Sequence, residues 1–170
     1  MHVALIRFAL VAPVGDIGSE STPPIGLAYL SAVAKKYGAT VVGVDASGMD
    51  LNKSFKISKY NLQGNGLSLG EIIPLIHPDT KLIGITSMFS HEWPYVRDCI
   101  NETKKKFPNA KIVIGGEHAT ALPEYNLRDC EGIDYIALGE GEETWSEIIT
   151  KLKNEESIDG VLGLAYLKDG

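Results

Sequence analysis

The sequence predicts an α/β fold in which helices cover both faces of a mostly parallel sheet. Short apolar runs alternate with longer amphipathic runs along the 170 residues. Near-continuous apolar strands separated by helices are typical of a parallel sheet buried on both faces, and such crossovers are right-handed in nearly all proteins. We therefore predict a doubly wound, five-stranded sheet with a short extra strand near the C-terminus. A ligand of such a sheet binds outside the carboxyl ends of the strands.

The predicted strands are apolar runs bounded by turn or helix signals. The first run, Val3–Ala12, is rich in Val, Ile, Leu and Ala and stops before Pro13. Gly160–Leu167 is predicted to be the short extra strand. The other four predicted strands are Thr40–Val44, Lys81–Thr86, Lys111–Ile114 and Ile133–Leu138.

The predicted helices show apolar residues at steps of three and four. Ile25–Tyr37 carries Leu27, Leu30 and Ala34 at this spacing, and a glycine follows as a stop signal. The stretch Ser47–Leu67, with several Gly, Lys, Asn and Ser residues, is predicted to contain at most one short element. Further helices are predicted at Leu69–Leu75, Trp93–Lys106, Pro123–Asp129 and Glu142–Lys153.

The composition argues against several classes of protein. At 44% hydrophobic residues the chain can form one well-packed domain, and its net charge of −6 argues against nucleic acid as a partner. Cys99 and Cys130 lie far apart without a C-x-x-C neighbour, which disfavours a zinc, iron–sulfur or disulfide framework. No run approaches the ~20 apolar residues that cross a membrane, and Arg7 interrupts the N-terminal apolar run. We therefore expect a cytoplasmic domain without a membrane partner.

The loop after the first strand is a candidate binding loop. It runs from Pro13 to Pro24, which is long compared with the usual ~2–6 residues of a βα loop. It contains Gly-x-x-Gly but neither G-x-G-x-x-G nor a Walker lysine. The alternative is a mobile surface loop. Its candidate ligand-binding residues are Pro13, Thr22, Pro23 and Pro24.

The loop after the third strand combines hydroxyl groups with large apolar side chains. It ends in a His–Glu–Trp cluster at residues 91–93, and this mixture suits a flat, amphipathic ligand. The alternative is that Ser90 caps the next helix while Met88 and Phe89 only pack. Its candidate ligand-binding residues are Thr86, Ser87, Met88, Ser90 and His91.

Glycines mark the loops after the fourth and fifth strands. A glycine pair at a strand end lets a ligand or another backbone approach closely, although it can also simply form a turn. In the fifth loop, Glu142 and Glu143 open a helix whose dipole they suit, and they disfavour a phosphate ligand there. The candidates are Gly115, Gly116, His118, Thr120 and Leu122 in the fourth loop and Gly139, Glu140 and Gly141 in the fifth.

Several enzyme and signalling motifs are missing from the sequence. It contains no Ser–His–Asp order, no H-E-x-x-H and no P-loop. A phosphoacceptor domain needs an Asp after the third strand and a Lys after the fifth, and neither is present. A flavin- or nucleotide-binding domain and a cofactor-free interaction domain remain as alternatives.

Four motifs in order carry a resemblance to a known family. They are Thr22–Leu30, Gly84–Met88, Ile114–Glu124 and Gly139–Thr144. Together they resemble the N-terminal cobalamin (B12)-binding domain of the B12-dependent radical S-adenosylmethionine enzymes, over nearly the whole chain. The resemblance implies a flavodoxin-like, Rossmann-type sandwich. It also implies that the corrin ring lies across the carboxyl ends of the strands and that the dimethylbenzimidazole tail enters the sheet.

The resemblance also implies roles for the candidate residues. The hydroxyl groups after the third strand would bind the tail or line its slot, and the residues from His118 to Leu122 would lie beside it. The first loop and Gly139–Glu142 would border the corrin and its amides. The glycine pair would give the tail room, so Gly116→Leu is expected to abolish binding and leave folding intact.

The first loop lacks a signature of classical B12-binding domains, as members of the radical-enzyme family commonly do. Other B12-binding domains carry D-x-H-x-x-G, whose histidine ligates cobalt, but here Asp16 is followed by Ile17 and Gly18. The resemblance therefore implies that the cofactor is held base-off without that histidine, with water or a residue of the third-strand loop facing cobalt. His91 is the imidazole that we consider for that position. We assign no catalytic residue and no metal ligand.

The C-terminal end indicates a larger parent protein. The family's downstream half carries a C-x-x-x-C-x-x-C motif for a [4Fe-4S] cluster and binds S-adenosylmethionine, and this motif is absent here. Gly163–Gly170 resembles the stretch that precedes that half. We therefore expect residues 1–170 to be a single cobalamin-binding domain, followed in the parent chain by a radical S-adenosylmethionine domain. Alone it would have no activity, whereas the parent would transfer methyl groups or rearrange a substrate. A free-standing B12 carrier is the alternative.

Overall fold

Strands and helices alternate through residues 1–15 and 22–168, which are the residues described by the computed structural model. The strands are β1 (His2–Arg7), β2 (Leu10–Pro13), β3 (Thr40–Asp45), β4 (Ser54–Ile57), β5 (Leu62–Asn65), β6 (Thr80–Thr86), β7 (Lys111–Gly115), β8 (Tyr135–Ala137) and β9 (Leu164–Ala165). The α-helices are α1 (Ile25–Lys36), α2 (Ala46–Met49), α3 (Leu69–Ile72), α4 (Trp93–Lys106), α5 (Glu117–Ala121), α6 (Pro123–Asp129) and α7 (Glu142–Lys153).

The central sheet has the predicted doubly wound architecture. Its strand order is β3-β1-β6-β7-β8-β9. The first five strands run parallel, and β9 pairs antiparallel with β8. The chain starts at β1, next to one edge of the sheet, adds β3 at that edge and then returns past β1 to build the rest of the sheet on the other side. The strand order therefore reverses between β1 and β6, where a ligand crevice is expected.

Two hydrophobic clusters lie on opposite faces of this sheet, because side chains alternate along each strand. One cluster includes Ile6, Ile83 and Ile114 and packs against α4. The other includes Leu5 and the tryptophan of α7, and it packs against α1 and α7. This burial on both faces confirms the fold predicted from the near-continuous apolar strands.

The predicted first strand, Val3–Ala12, is wrong in its extent. β1 ends at Arg7, and β2 leaves the central sheet to join a second sheet of order β2-β5-β4. The backbone N–H of Leu10 donates to the Ser47 hydroxyl at 3.0 Å, and that hydroxyl donates to the carbonyl of Asn65 at 2.8 Å. A buried serine from a distant segment thus fixes the position where β2 starts.

The prediction of at most one short element in Ser47–Leu67 is also wrong, because β4 and β5 both lie there. They pair antiparallel around Gly64, where an added Cβ would come within 2.4 Å of the Phe55 ring. The glycine therefore allows the aromatic ring to cover the strand. β4 is a short strand with only two large apolar residues. Its alternation of apolar and polar residues is therefore a weak signal, which explains why the sequence did not reveal this strand.

The remaining elements follow the predictions closely. The bounds of α4, α6 and α7 agree with the sequence, and α1 ends one residue early. A 3₁₀ turn at Ile73–Leu75 completes the helix predicted at Leu69–Leu75. The short helix α5 was predicted as loop, and β9 is shorter than the predicted Gly160–Leu167. Residues 16–21 of the first loop and the terminal pair 169–170 lie outside the described residues. Within the described ranges, none of the helices has the length and apolar character needed to cross a membrane.

Candidate functional site

A cavity of about 490 Å³ opens at the carboxyl ends of β1, β6, β7 and β8. On the sheet face that contacts α1 and α7, alternate positions of β6 present Leu82, Gly84 and Thr86, while β7 presents Val113 and Gly115. On β7 the side chains become smaller towards the carboxyl end, from Val113 to Gly115, and on β8 they do so from Tyr135 to Ala137. The sheet therefore fills the layer at one end and leaves a slot at the other.

Helices α1 and α7 form the walls of this slot. Leu27 and Leu30 contribute from α1, and Trp145 contributes from α7. An added Cβ at Gly84 would lie 2.7 Å from Trp145 Cη2 and 2.8 Å from Leu5 Cδ2. Gly84 is therefore needed so that the indole can pack directly on the sheet.

Gly115 leaves open space at the floor of the slot. An added Cβ there would contact only Ala137, with its carbonyl oxygen at 3.7 Å and its Cβ at 4.0 Å. Both distances are ordinary van der Waals contacts. A side chain at this position would therefore extend into the cavity, and a ligand can occupy the same space.

Gly116 has a different role from the one that the sequence indicated. Its φ is +102°, and an added Cβ would lie 2.6 Å from the Ser87 carbonyl oxygen and 3.0 Å from Met88 Sδ. The glycine lines the cavity, but it is required by the close approach of the β6 loop. The expectation that Gly116→Leu leaves folding intact is therefore wrong.

Ten of the predicted binding residues line the cavity, and the other seven do not. The ten are Thr22, Pro23, Pro24, Thr86, Met88, Gly115, Gly116, Gly139, Glu140 and Gly141. The seven outside its lining are Pro13, Ser87, Ser90, His91, His118, Thr120 and Leu122. The binding roles of all seventeen stay predictions.

Several of the residues outside the lining connect the loops that form it. Ser90 Oγ lies 2.9 Å from His118 Nδ1 and makes no capping bond to α4, so the two loops meet through these side chains. The Thr120 hydroxyl accepts a hydrogen bond from the Gly139 N–H at 3.4 Å. The Ser87 hydroxyl is buried and has no hydrogen-bond partner among the described residues.

His91 lies at the surface beside the cavity. It is exposed, and its ring stacks on Phe89 with 5.7 Å between the ring centroids. Phe89 lines the cavity, whereas His91 does not. A role for His91 in facing cobalt stays a prediction.

Two charged residues of the cavity were missed as candidates. Arg7, at the end of β1, donates to the Asp45 carboxylate at 2.7 Å and to the Thr22 carbonyl at 2.6 Å. Glu92 is buried, and it lines the cavity next to the second sheet. Glu92 belongs to the His–Glu–Trp cluster noted in the sequence, but its burial depends on β2, whose separate pairing was not predicted.

Acidification is expected to destabilise the fold through His118. Burial lowers the pKa of this imidazole in the folded chain, whereas the unfolded chain retains the ordinary value of 6.5. The unfolded state then binds the proton more readily, so the free energy of unfolding should fall as the pH drops below about 6.5. Urea denaturation at about pH 7.5 and about pH 5.5 measures this loss.

The loss should be smaller in His118→Gln, which cannot take up the proton. The matched control is His91→Gln, because the imidazole of His91 is exposed. It should retain the full pH dependence. Equal losses in wild type and His118→Gln would show that another group is responsible.

Comparisons with known proteins find a family model that matches part of the chain. Residues 71–149 match the model of the B12 binding domain. The uncharacterized methyltransferase PH0819 of Pyrococcus horikoshii is 31% identical over 175 residues, which cover 100% of this chain and 33% of that protein. Cytidylyl-2-hydroxyethylphosphonate methyltransferase of Streptomyces wedmorensis is 33% identical over 157 residues, covering 85% of this chain and 27% of that protein.

A solved structure shares the fold. It is the cobalamin-dependent S-adenosylmethionine radical enzyme OxsB with aqua-cobalamin and S-adenosylmethionine bound. The TM-score is 0.71 at 18% sequence identity, and the match covers 99% of this chain and 21% of that one. The chain therefore spans a third or less of the length of each of these three proteins.

Proposed function

Because the chain carries a B12-binding domain that resembles those of cobalamin-dependent radical S-adenosylmethionine methyltransferases, as its sequence indicated, we propose that the cavity at the strand ends binds cobalamin. The observation that carries the proposal is the open space over Gly115, bounded by Ala137. In this proposal the nucleotide tail enters the slot between the sheet and helices α1 and α7. The corrin remains outside, across the strand ends.

The chemistry of the slot suits a flat aromatic base. Val113, Ala137 and Trp145 line it with apolar atoms, and burial of an aromatic ring against such atoms is favourable. Thr86, at the end of β6, lines the slot and offers a hydroxyl group to the polar part of the tail. A volume of about 490 Å³ lies within the ~300–1,000 Å³ typical of small-molecule sites.

The rim of the cavity suits a larger ring. Ile25, Met88 and Phe89 line the cavity and are exposed, with 68%, 41% and 52% of their surface accessible. Apolar side chains that are exposed together around a cavity mouth are typical of a ligand surface. These residues would support the corrin and exclude water from its lower face.

Cobalamin, when bound, supplies cobalt-centred group transfer, and the protein contributes binding and orientation. We propose base-off binding without a histidine ligand, because D-x-H-x-x-G is absent from the first loop. We also propose that the parent protein holds a radical S-adenosylmethionine domain with a [4Fe-4S] cluster and transfers methyl groups or rearranges its substrate. Relatives three or more times longer than this chain support such an arrangement.

Titration with two corrinoids tests the proposal. Hydroxocobalamin should bind with a perturbed corrin spectrum and should co-elute with the chain in gel filtration. Cobinamide lacks the nucleotide tail and should bind at least ~10-fold more weakly, since ~1.4 kcal/mol or more of binding free energy would be lost. If hydroxocobalamin eluted free, the proposal would be wrong. Binding of flavin mononucleotide instead would favour a flavodoxin-type function.

A further inference from the structure

One wall of the cavity carries a buried carboxyl group. Glu92 ends the 3₁₀ turn Ser90–Glu92 and is only 8% exposed, yet it lines the cavity together with Arg7 and Leu10. A buried carboxyl group is costly unless hydrogen bonds or opposite charges compensate it. An apolar residue of similar size would fill the same wall without that cost. Packing alone therefore does not explain why a carboxyl group lies at this position of the cavity wall.

The surroundings of Glu92 compensate its charge only in part. Burial raises the pKa of its carboxyl group, whereas the charges of His91 and Arg7 and the backbone N–H of Val11 lower it. The net pKa lies above the ordinary value because burial dominates. A carboxyl group has more acceptor sites than the Val11 N–H fills, so an N–H group of a ligand in the cavity can also donate to it.

Corrinoid side chains offer such donors. Cobalamin carries primary carboxamides around its ring, and each carboxamide nitrogen has two N–H donors. A corrinoid in which one carboxamide is replaced by a carboxylate has no donor at that position. Two neighbouring carboxyl groups in a buried site cannot both ionise without a large cost, so the same wall would reject the carboxylate.

We propose that Glu92 selects amide-bearing corrinoids over carboxylate-bearing ones, by accepting an N–H of a ligand carboxamide. The inference rests on the proposed cobalamin function and deepens it, because it assigns a specificity-determining residue that the family motifs do not contain. Glu92 would position and select the cofactor and would take no part in the chemistry at cobalt.

The test compares hydroxocobalamin with its propionamide-derived monocarboxylic acids in spectral titrations at low salt. Wild type should bind hydroxocobalamin at least ~10-fold more tightly than the monocarboxylic acid whose changed group faces Glu92, since that ligand loses a hydrogen bond to a carboxyl group. The affinities of Glu92→Gln for hydroxocobalamin and for that monocarboxylic acid should differ by no more than about threefold, because the glutamine amide can also donate to a carboxylate. Thermal unfolding checks that this variant folds.

Glu143→Gln is the matched control. It removes one charge from an exposed carboxylate at the start of α7, outside the cavity lining. It should keep the wild-type ratio, which separates local recognition from the overall charge of the domain. Equal ratios in wild type and Glu92→Gln would overturn the inference while leaving the cobalamin site intact. A wild-type ratio near one for every monocarboxylic acid would overturn it without any variant. Failure of wild type to bind hydroxocobalamin would overturn both proposals.

Discussion

Gly115→Val is expected to weaken hydroxocobalamin binding by at least ~100-fold, which corresponds to about 2.7 kcal/mol. The residue ends β7, and its added Cβ would make only ordinary contacts with Ala137. Valine suits a strand, so the backbone should not be strained. Its methyl groups would occupy the space proposed for the nucleotide tail. Spectral titration measures the affinity, and circular dichroism on heating checks the fold.

Two controls isolate the effect of filling the slot. Gly43→Val makes the same change on the edge strand β3, where an added Cβ meets nothing within 4 Å and the residue lies outside the cavity lining. Its affinity for hydroxocobalamin should match that of wild type. Cobinamide should bind Gly115→Val as it binds wild type, because it has no tail to be excluded. Unchanged hydroxocobalamin binding by Gly115→Val would place the tail elsewhere.

Gly116→Ala is expected to lower the free energy of unfolding by about 2–4 kcal/mol. A left-handed or otherwise unfavourable φ costs a non-glycine residue ~1–3 kcal/mol, and here φ is +102°. The added methyl would also lie 2.6 Å from the Ser87 carbonyl oxygen, so the β6 loop must move. Urea denaturation measures the loss.

Gly160→Ala is a reference for the cost of a positive φ without a close contact. Gly160 has a φ of +80°, but an added Cβ there meets nothing within 4 Å. It should cost about 1 kcal/mol through backbone strain alone. If both alanine variants lost the same stability, the close approach of Ser87 to Gly116 would contribute nothing to folding.

Most of the central sheet could be predicted because its signal is local. A strand buried on both faces is apolar at nearly every position, and each such run is separated from the next by a helix. The rule that ligands bind at the carboxyl ends then predicted where the cavity opens. Ten of the seventeen predicted residues do line the cavity.

The parts that the sequence did not reveal depend on contacts between distant segments. Trp145 and Leu30 have the spacing of ordinary core residues. They form walls of a slot only because the side chains of the facing strand ends are small. The role of Gly116 depends on a positive φ, which no sequence pattern shows. The burial of Glu92 depends on β2 pairing with a strand more than fifty residues away, as in the pair formed by Leu10 and Asn65.

The hydrogen bonds of Arg7 connect the edge strand β3 to the mouth of the cavity. Asp45 belongs to β3 and lies outside the cavity lining, yet it fixes the guanidinium that holds the Thr22 carbonyl. The chain that enters α1 is thereby tethered to a carboxylate on the neighbouring strand. Substitutions at Asp45 can therefore change the shape of the entrance without touching anything bound within it.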